Sequence, residues 1–293
     1  MGIVSVGYEG EDIDLVSQTF KPRIFIKKGY IIATAEKLIN ESDITLSILN
    51  KTNIPSPLGN IIIAEALSGG FIKIAGPSIT KDLETVIGIV KSYNPNKILI
   101  DGALFRTSLS KNKFSDAVIL ATSANLNPSI DKTVNETVNF YNILSTNETT
   151  CYNKEIITRS NLNKYTFYNN ESLLKTADSI DKIIFSIAKF NHLYINGALT
   201  ANIAEEIINN KNRNTKFEII VNHSSQIILS DATSKKLTIN LVKVSVLNMN
   251  NVIFITVNPT SISNYEFVSE ELIVKLASKI NIPILNVREV NSC

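Results

Sequence analysis

The sequence predicts an α/β protein: a mostly parallel, doubly wound sheet of Rossmann-like or P-loop-like topology that lacks a phosphate-binding loop. Three observations predict it. Apolar runs rich in Ile, Val and Leu recur at 2–6, 97–100, 117–121, 193–195, 217–221 and 252–257, as expected of strands covered on both faces. Helical spacing lies between them, for example Leu83, Val86, Ile87 and Val90. Strands alternating with helices imply right-handed crossovers and a parallel sheet.

The elements follow in order. Gly2–Val6 is a strand that runs into an acidic, glycine-containing loop at 7–12. Ile24–Ile26 and Tyr30–Ala33 flank Lys27-Lys28-Gly29 and predict a β-hairpin over 24–33. A short helix over 34–40 and a strand over 44–49 come next. Ser56-Pro57 carries a helix-start signature and Gly69-Gly70 a stop, so a helix is expected between them. Strand 71–75, a helix carrying Leu83, Val86, Ile87 and Val90, strand 97–100, a short helix near 104–110, strand 117–121 and a helix near 128–145 complete the first block. Residues 146–170 are polar, rich in Asn, Thr and Tyr, and mark a domain boundary or an edge hairpin. The chain therefore divides at about 150, into a nucleotide-binding-like α/β domain over 1–150 and a second α/β half over 151–293, as two domains or as halves of one compact body. The second half is expected to hold helix 171–189, strand 193–199, helix 200–210, strand 217–221, strand 252–257, helix 268–280 and strand 282–287. Ile100-Asp101-Gly102-Ala103-Leu104 is echoed at Ile195-Asn196-Gly197-Ala198-Leu199, as a repeated turn or simply a common one.

At 293 residues the chain is long enough to bury a large core, and 44% apolar and 19% charged residues suit a globular protein. A net charge of +2 leaves no electrostatic footprint for nucleic acid. Two cysteines, Cys151 and Cys293, and no apolar N-terminal leader point to a reduced, cytoplasmic setting. No apolar run reaches membrane-spanning length.

Ligands in such sheets bind beyond the carboxyl ends of the strands, so the candidate site residues are sought there. Asp101 ends an apolar strand and is either a Walker-B-like carboxylate for Mg²⁺ or a helix cap. Gly102 follows it, and Arg106 is placed to clamp a phosphate or to pair with a local acid. Gly76, Ser78 and Thr80 sit between a strand and a helix, as an anion cradle or an ordinary cap. Thr122 and Asn258 end two further strands. The chain has no G-x-x-x-x-G-K-[ST] and no G-x-G-x-x-G after a strand. His192 and His223, its two histidines, lack metal spacing and read as structural or surface residues. No catalytic residue is identifiable. The alternatives are a nucleotide-binding or small-molecule enzyme using Asp101 and Mg²⁺, and an assembly module with no ligand.

Six blocks carry a resemblance. They are Ser5–Asp14, Lys28–Thr34, Ala75–Ser78, Ile100–Arg106, Asp116–Thr122 and Thr256–Pro259. They resemble the smaller, non-MutS-like subunit of a lysine 5,6-aminomutase reactivase, a family found beside the aminomutases of amino-acid-fermenting bacteria. The resemblance implies a chaperone-like accessory subunit that reactivates an adenosylcobalamin-dependent aminomutase, with that enzyme and a MutS-like ATPase as partners. ATP and Mg²⁺ would enter through the partner, and an oligomer is possible. Longer members carry a phosphate-binding loop ahead of the segment matching residues 2–14, where this chain begins. Hydrolysis is therefore expected of the partner, with Asp101 a relic or half of a shared site.

Overall fold

A computed structural model describes residues 1–6, 23–102, 115–150, 163–169, 174–180 and 184–289. It is α/β, with several sheets in which some strands run parallel. Two compact units divide the chain, Met1–Leu109 and Ser110–Cys293.

The first unit carries β1 (Gly2–Ser5), β2 (Ile24–Ile26), β3 (Ile31–Ala35), α1 (Glu36–Asn40), β4 (Leu46–Ser56), β5 (Gly59–Ala66), β6 (Gly70–Ile72), α2 (Thr80–Ser92) and β7 (Ile98–Asp101). Its main sheet has the order β4-β5-β3-β1-β7. β1 runs parallel to both β3 and β7, while β3–β5 and β5–β4 are antiparallel. Ile3, Ile32, Ala64 and Ile72 form its core, and α2 buries Leu83, Val86 and Val90, its predicted apolar stripe.

Two expectations fail here. The hairpin over 24–33 does not form: β2 pairs antiparallel with β6, and β3 pairs with β1 and β5. Only tertiary pairing decides which strand a short apolar run joins, and Gly29, at φ 83, makes a turn without joining its flanks in one ladder. The helix after Ser56-Pro57 is instead β5, the return strand of a hairpin with β4. The Ile61-Ile62-Ile63 run is β-branched and fully buried within the sheet, where stiff χ1 angles suit a strand. Gly59 closes that turn at φ +99, and the Ser56 hydroxyl donates to its carbonyl at 2.6 Å. Pro55 is tolerated because β4 is an edge strand.

The second unit carries β8 (Val118–Ser123), α3 (Ile130–Leu144), β9 (Tyr165–Tyr168), β10 (Leu174–Ala177), β11 (His192–Ile195), β12 (Leu199–Thr200), α4 (Ala201–Asn210), β13 (Phe217–His223), β14 (Ile227–Ile228), α5 (Asp231–Ile239), β15 (Val242–Asn248), β16 (Val252–Asn258), α6 (Ser269–Ala277) and β17 (Ile284–Asn286). It holds two larger sheets. A three-stranded parallel sheet of order β17-β16-β8 packs Leu120, Ile255 and Val257 with Val134 of α3 and Leu272 and Leu276 of α6. A five-stranded sheet of order β10-β9-β11-β13-β15 has its own core, with Phe167, Leu193, Ile219 and Ile207 of α4. That second sheet is inserted between α3 and β16, and the polar composition break near 150 falls at its entry. β11, β13 and β15 are parallel, and β9 and β10 add antiparallel strands. The helix expected over 171–189 is therefore corrected where described: Leu174–Ala177 is a strand against aromatic β9, and Ile184–Lys189 is a 3-10 turn. Of the echoed stretches, Ala103 and Leu104 lie outside the described residues; the strand that leads into the first, β7, is at a sheet edge, and β11, which leads into the second, is central. Among the described residues no helix is long and apolar enough to cross a membrane.

Candidate functional site

The carboxyl ends of β1 and β7 build the first site. Ser5 pairs with Asp101 across the parallel ladder, and the Val6 amide donates to the Asp101 carbonyl at 3.0 Å. Gly76 packs onto the same strand end. A Cβ at position 76 would fall 1.6 Å from the Ser5 carbonyl oxygen, so only glycine fits. The segment is pinned from the other side by the Ala75 amide, which donates to the Thr34 hydroxyl at 3.0 Å. Gly76 and Asp101 thus flank one residue, Ser5, though 25 positions separate them in sequence (101 − 76 = 25).

The helix α2 starts just beyond Gly76 and Pro77. Its cap position is Ile79, not Ser78, and it gives no side-chain cap. Ser78 is exposed. Asp101 and Gly102 are also exposed at this edge, yet the protein packed around the Asp101 carboxyl desolvates it and raises its pKa. A lone desolvated carboxylate gains from a cation brought to it. Among the described residues no three His, Cys, Asp or Glu side chains group to hold a metal. Asp101 therefore suits Mg²⁺ only as one ligand beside phosphate oxygens and water. Arg106 lies outside the described residues.

Thr122 and Asn258 belong to the other unit and to a different sheet, where β8 pairs with β16. The expected single rim of one parallel layer is therefore not formed, because β7 and β8 are strands of separate sheets. Thr122 turns inward. Its hydroxyl lies 2.7 Å from that of Thr137, which itself donates to the Thr133 carbonyl. Thr137 having spent its proton, Thr122 is the donor. Asn258 builds a turn: its side-chain oxygen accepts the Thr260 amide at 3.2 Å and its carbonyl accepts the Ala124 amide at 2.9 Å.

The inserted sheet holds a polar row that sequence reading missed. Tyr168, His192, Glu218 and Lys243 stand side by side on β9, β11, β13 and β15. His192 and Glu218 are buried. The Glu218 carboxylate accepts Ser245 Oγ at 2.5 Å and lies 3.3 Å from Lys243 Nζ. Burial would raise the Glu218 carboxyl, but hydrogen bonds from Ser245, Lys243 and Thr149 and the Lys243 charge outweigh it and lower the pKa. Burial lowers His192 despite the nearby Glu218 and a bond to the Tyr168 backbone. The carboxylate sits between serine and histidine, so the imidazole does not reach Ser245 and the order is not that of a Ser-His-Asp triad. One signal was available in the sequence: Glu218 and Lys243 interrupt otherwise apolar strand runs.

No protein-family model, no curated protein and no solved structure matches this chain.

Proposed function

We propose that this chain is an accessory subunit that keeps an adenosylcobalamin-dependent amino-acid aminomutase active, in the cytoplasm and beside a MutS-like ATPase. One observation carries the proposal: the resemblance-bearing blocks, scattered in sequence, gather at strand ends. Ser5, Thr34, Gly76 and Asp101 belong to four blocks and meet around β1 and β3. The other two blocks pair with each other, Ala121 with Thr256 and Thr122 with Val257. Blocks that merely shared composition would have no reason to cluster. Each parallel ladder, β3-β1-β7 and β17-β16-β8, is of the kind that builds a doubly wound, Rossmann-like fold.

The test is co-purification of the full chain with a cobalamin-dependent aminomutase and with its MutS-like ATPase. Retention of either partner, and ATP-dependent recovery of inactivated aminomutase, is expected. Well-folded protein that retains neither partner overturns the proposal.

The strand ends at Ser5 and Asp101, with Gly76 packed on them, favour a second reading, a chain that itself binds a nucleotide with Mg²⁺. Thermal-shift measurement with nucleotides and Mg²⁺ then shows a rise in Tm. A rise that survives Asp101→Ala excludes Asp101 as the metal ligand.

A further inference from the structure

Among the described residues, the chain enters and leaves the inserted sheet at one neck. The Thr149 amide donates to the Val246 carbonyl at 2.9 Å, and the Val246 amide to the Asn147 carbonyl at 3.0 Å. The entering segment thus bridges to β15 in parallel at Glu148 and Val246, close to where β15 ends. The buried Asn250 amide fastens the exit, donating to the Leu144 carbonyl at 3.1 Å and to Ser224 Oγ at 2.7 Å. Beside this neck opens a groove of about 1050 Å³, lined by Asn139 and Asn142 of α3 and by His192, Glu218 and Lys243 of the inserted sheet.

Glu218 reaches the neck directly. Besides Ser245 and Lys243, it holds the side chain of Thr149, a residue of the entering segment. His192 stands on its other side. Asn191 Oδ1 lies 2.6 Å from His192 Nδ1, so Nδ1 carries the proton and Nε2 presents a lone pair. That Nε2 faces Glu218 Oε2 at 3.7 Å. Lone pair and carboxylate repel, and the gap closes only when Nε2 takes a proton.

We propose that His192 and Glu218 form a proton-operated latch on this neck. With His192 neutral, the carboxylate is left to Ser245, Lys243 and Thr149, and the neck is shut. Protonation at Nε2 adds a second cation beside Lys243 and draws Oε2 into a charge-assisted bond. The carboxylate then turns from Thr149, and the neck strand loosens. The groove lets water reach the imidazolium, which otherwise pays a desolvation penalty. The groups facing His192 are Tyr168 of β9, stacked at 4.8 Å, Glu218 of β13, Asn191, and Lys243 of β15 through Glu218. Across the groove, α3 contributes the uncharged Asn139, Asn142 and Ile143, and the remaining charged groups of the lining are Lys216, Asp231 and Lys235.

Residue-resolved amide hydrogen exchange on the full chain between pH 7.5 and 5, corrected for intrinsic rates, tests the latch. Protection of the Thr149 and Val246 amides is expected to fall about tenfold for each pH unit through the His192 titration, while core amides of β16 keep theirs. An NMR titration of the two imidazole rings supplies the His192 midpoint without any substitution. His192→Gln is expected to abolish the pH dependence, and His223→Asn to retain it. Neck protection that does not change with pH overturns the latch. So does a loss that follows the His223 midpoint, one that persists in His192→Gln, or one shared equally by β16.

Discussion

Gly76 lies against the carbonyl of Ser5 so closely that an added Cβ would come within 1.6 Å of the oxygen. The contact joins a turn after β6 to the end of β1, and Asp101 adjoins Ser5 on its other side. Gly76→Ala is therefore expected to force the backbone apart and cost roughly 1–3 kcal/mol. Gly88 is the internal contrast. It lies exposed in α2 with nothing within 4 Å of an added Cβ, so Gly88→Ala should stabilise by about 0.5–1 kcal/mol. Urea denaturation of both variants checks the opposite signs.

Asp101 carries a prediction about pH and stability together. Its folded-state pKa is raised by desolvation. The fold therefore disfavours the ionised form, and the cost appears as pH rises through the ordinary value of 3.8 and stays at neutral pH. Asp101→Asn should raise Tm at pH 7 relative to the parent, and the gain should vanish below pH 3.8. Scanning calorimetry at the two pH values measures this. If the carboxylate also serves a nucleotide with Mg²⁺, the stabilised variant loses its ligand-induced shift, a trade-off common at functional sites.

The His192 and Glu218 row makes the second unit acid-sensitive. His192 is held below its ordinary 6.5, so the unfolded chain binds a proton first and stability falls as pH drops below 6.5. Glu218 is held below 4.5, so its contribution is present above 4.5 and is lost as pH falls through its lower folded value. Denaturation midpoints across pH 7.5 to 2.5 should therefore decline in two stages. Glu218→Gln removes the lower stage and costs about 1.5–3 kcal/mol at pH 7, because the bonds to Ser245 and Lys243 lose their charge.

Thr122→Val tests whether that residue belongs to a ligand site or to the α3 interface. Its hydroxyl donates to Thr137, which keeps its own bond to the Thr133 carbonyl after the change. A cost of about 1 kcal/mol with no effect on nucleotide or partner binding is expected. Lost binding at unchanged stability would place Thr122 in the site.

Legibility followed how local each signal was. α2 and α3 were readable because their apolar stripes survive in isolation, and β1, β7 and β16 because each is a compact apolar run. The segment Gly59–Ala66 was misread because a helix-start dipeptide outweighed three consecutive isoleucines. α5 was missed because Thr233, Ser234 and Thr238 break its stripe and only Leu237 is buried. Glu218 and His192 lie 26 positions apart (218 − 192 = 26) and become neighbours only through the parallel register of β11 with β13.

By itself the sequence determined much of the alternation of strands and helices, the strand ends at or next to Asp101, Thr122 and Asn258, and the strand-to-helix connection at Gly76. Periodicity, β-branching and glycine act within a few residues, so a one-dimensional reading captures them. Only the tertiary structure decided that β2 joins β6, that β7 and β8 serve different sheets, that Thr122 turns inward, and that a buried carboxylate links the neck of the inserted sheet to a histidine. Strand partnership and burial depend on which distant segments compete for the same edge and face. That competition is settled by packing of the whole chain, not by any stretch of it.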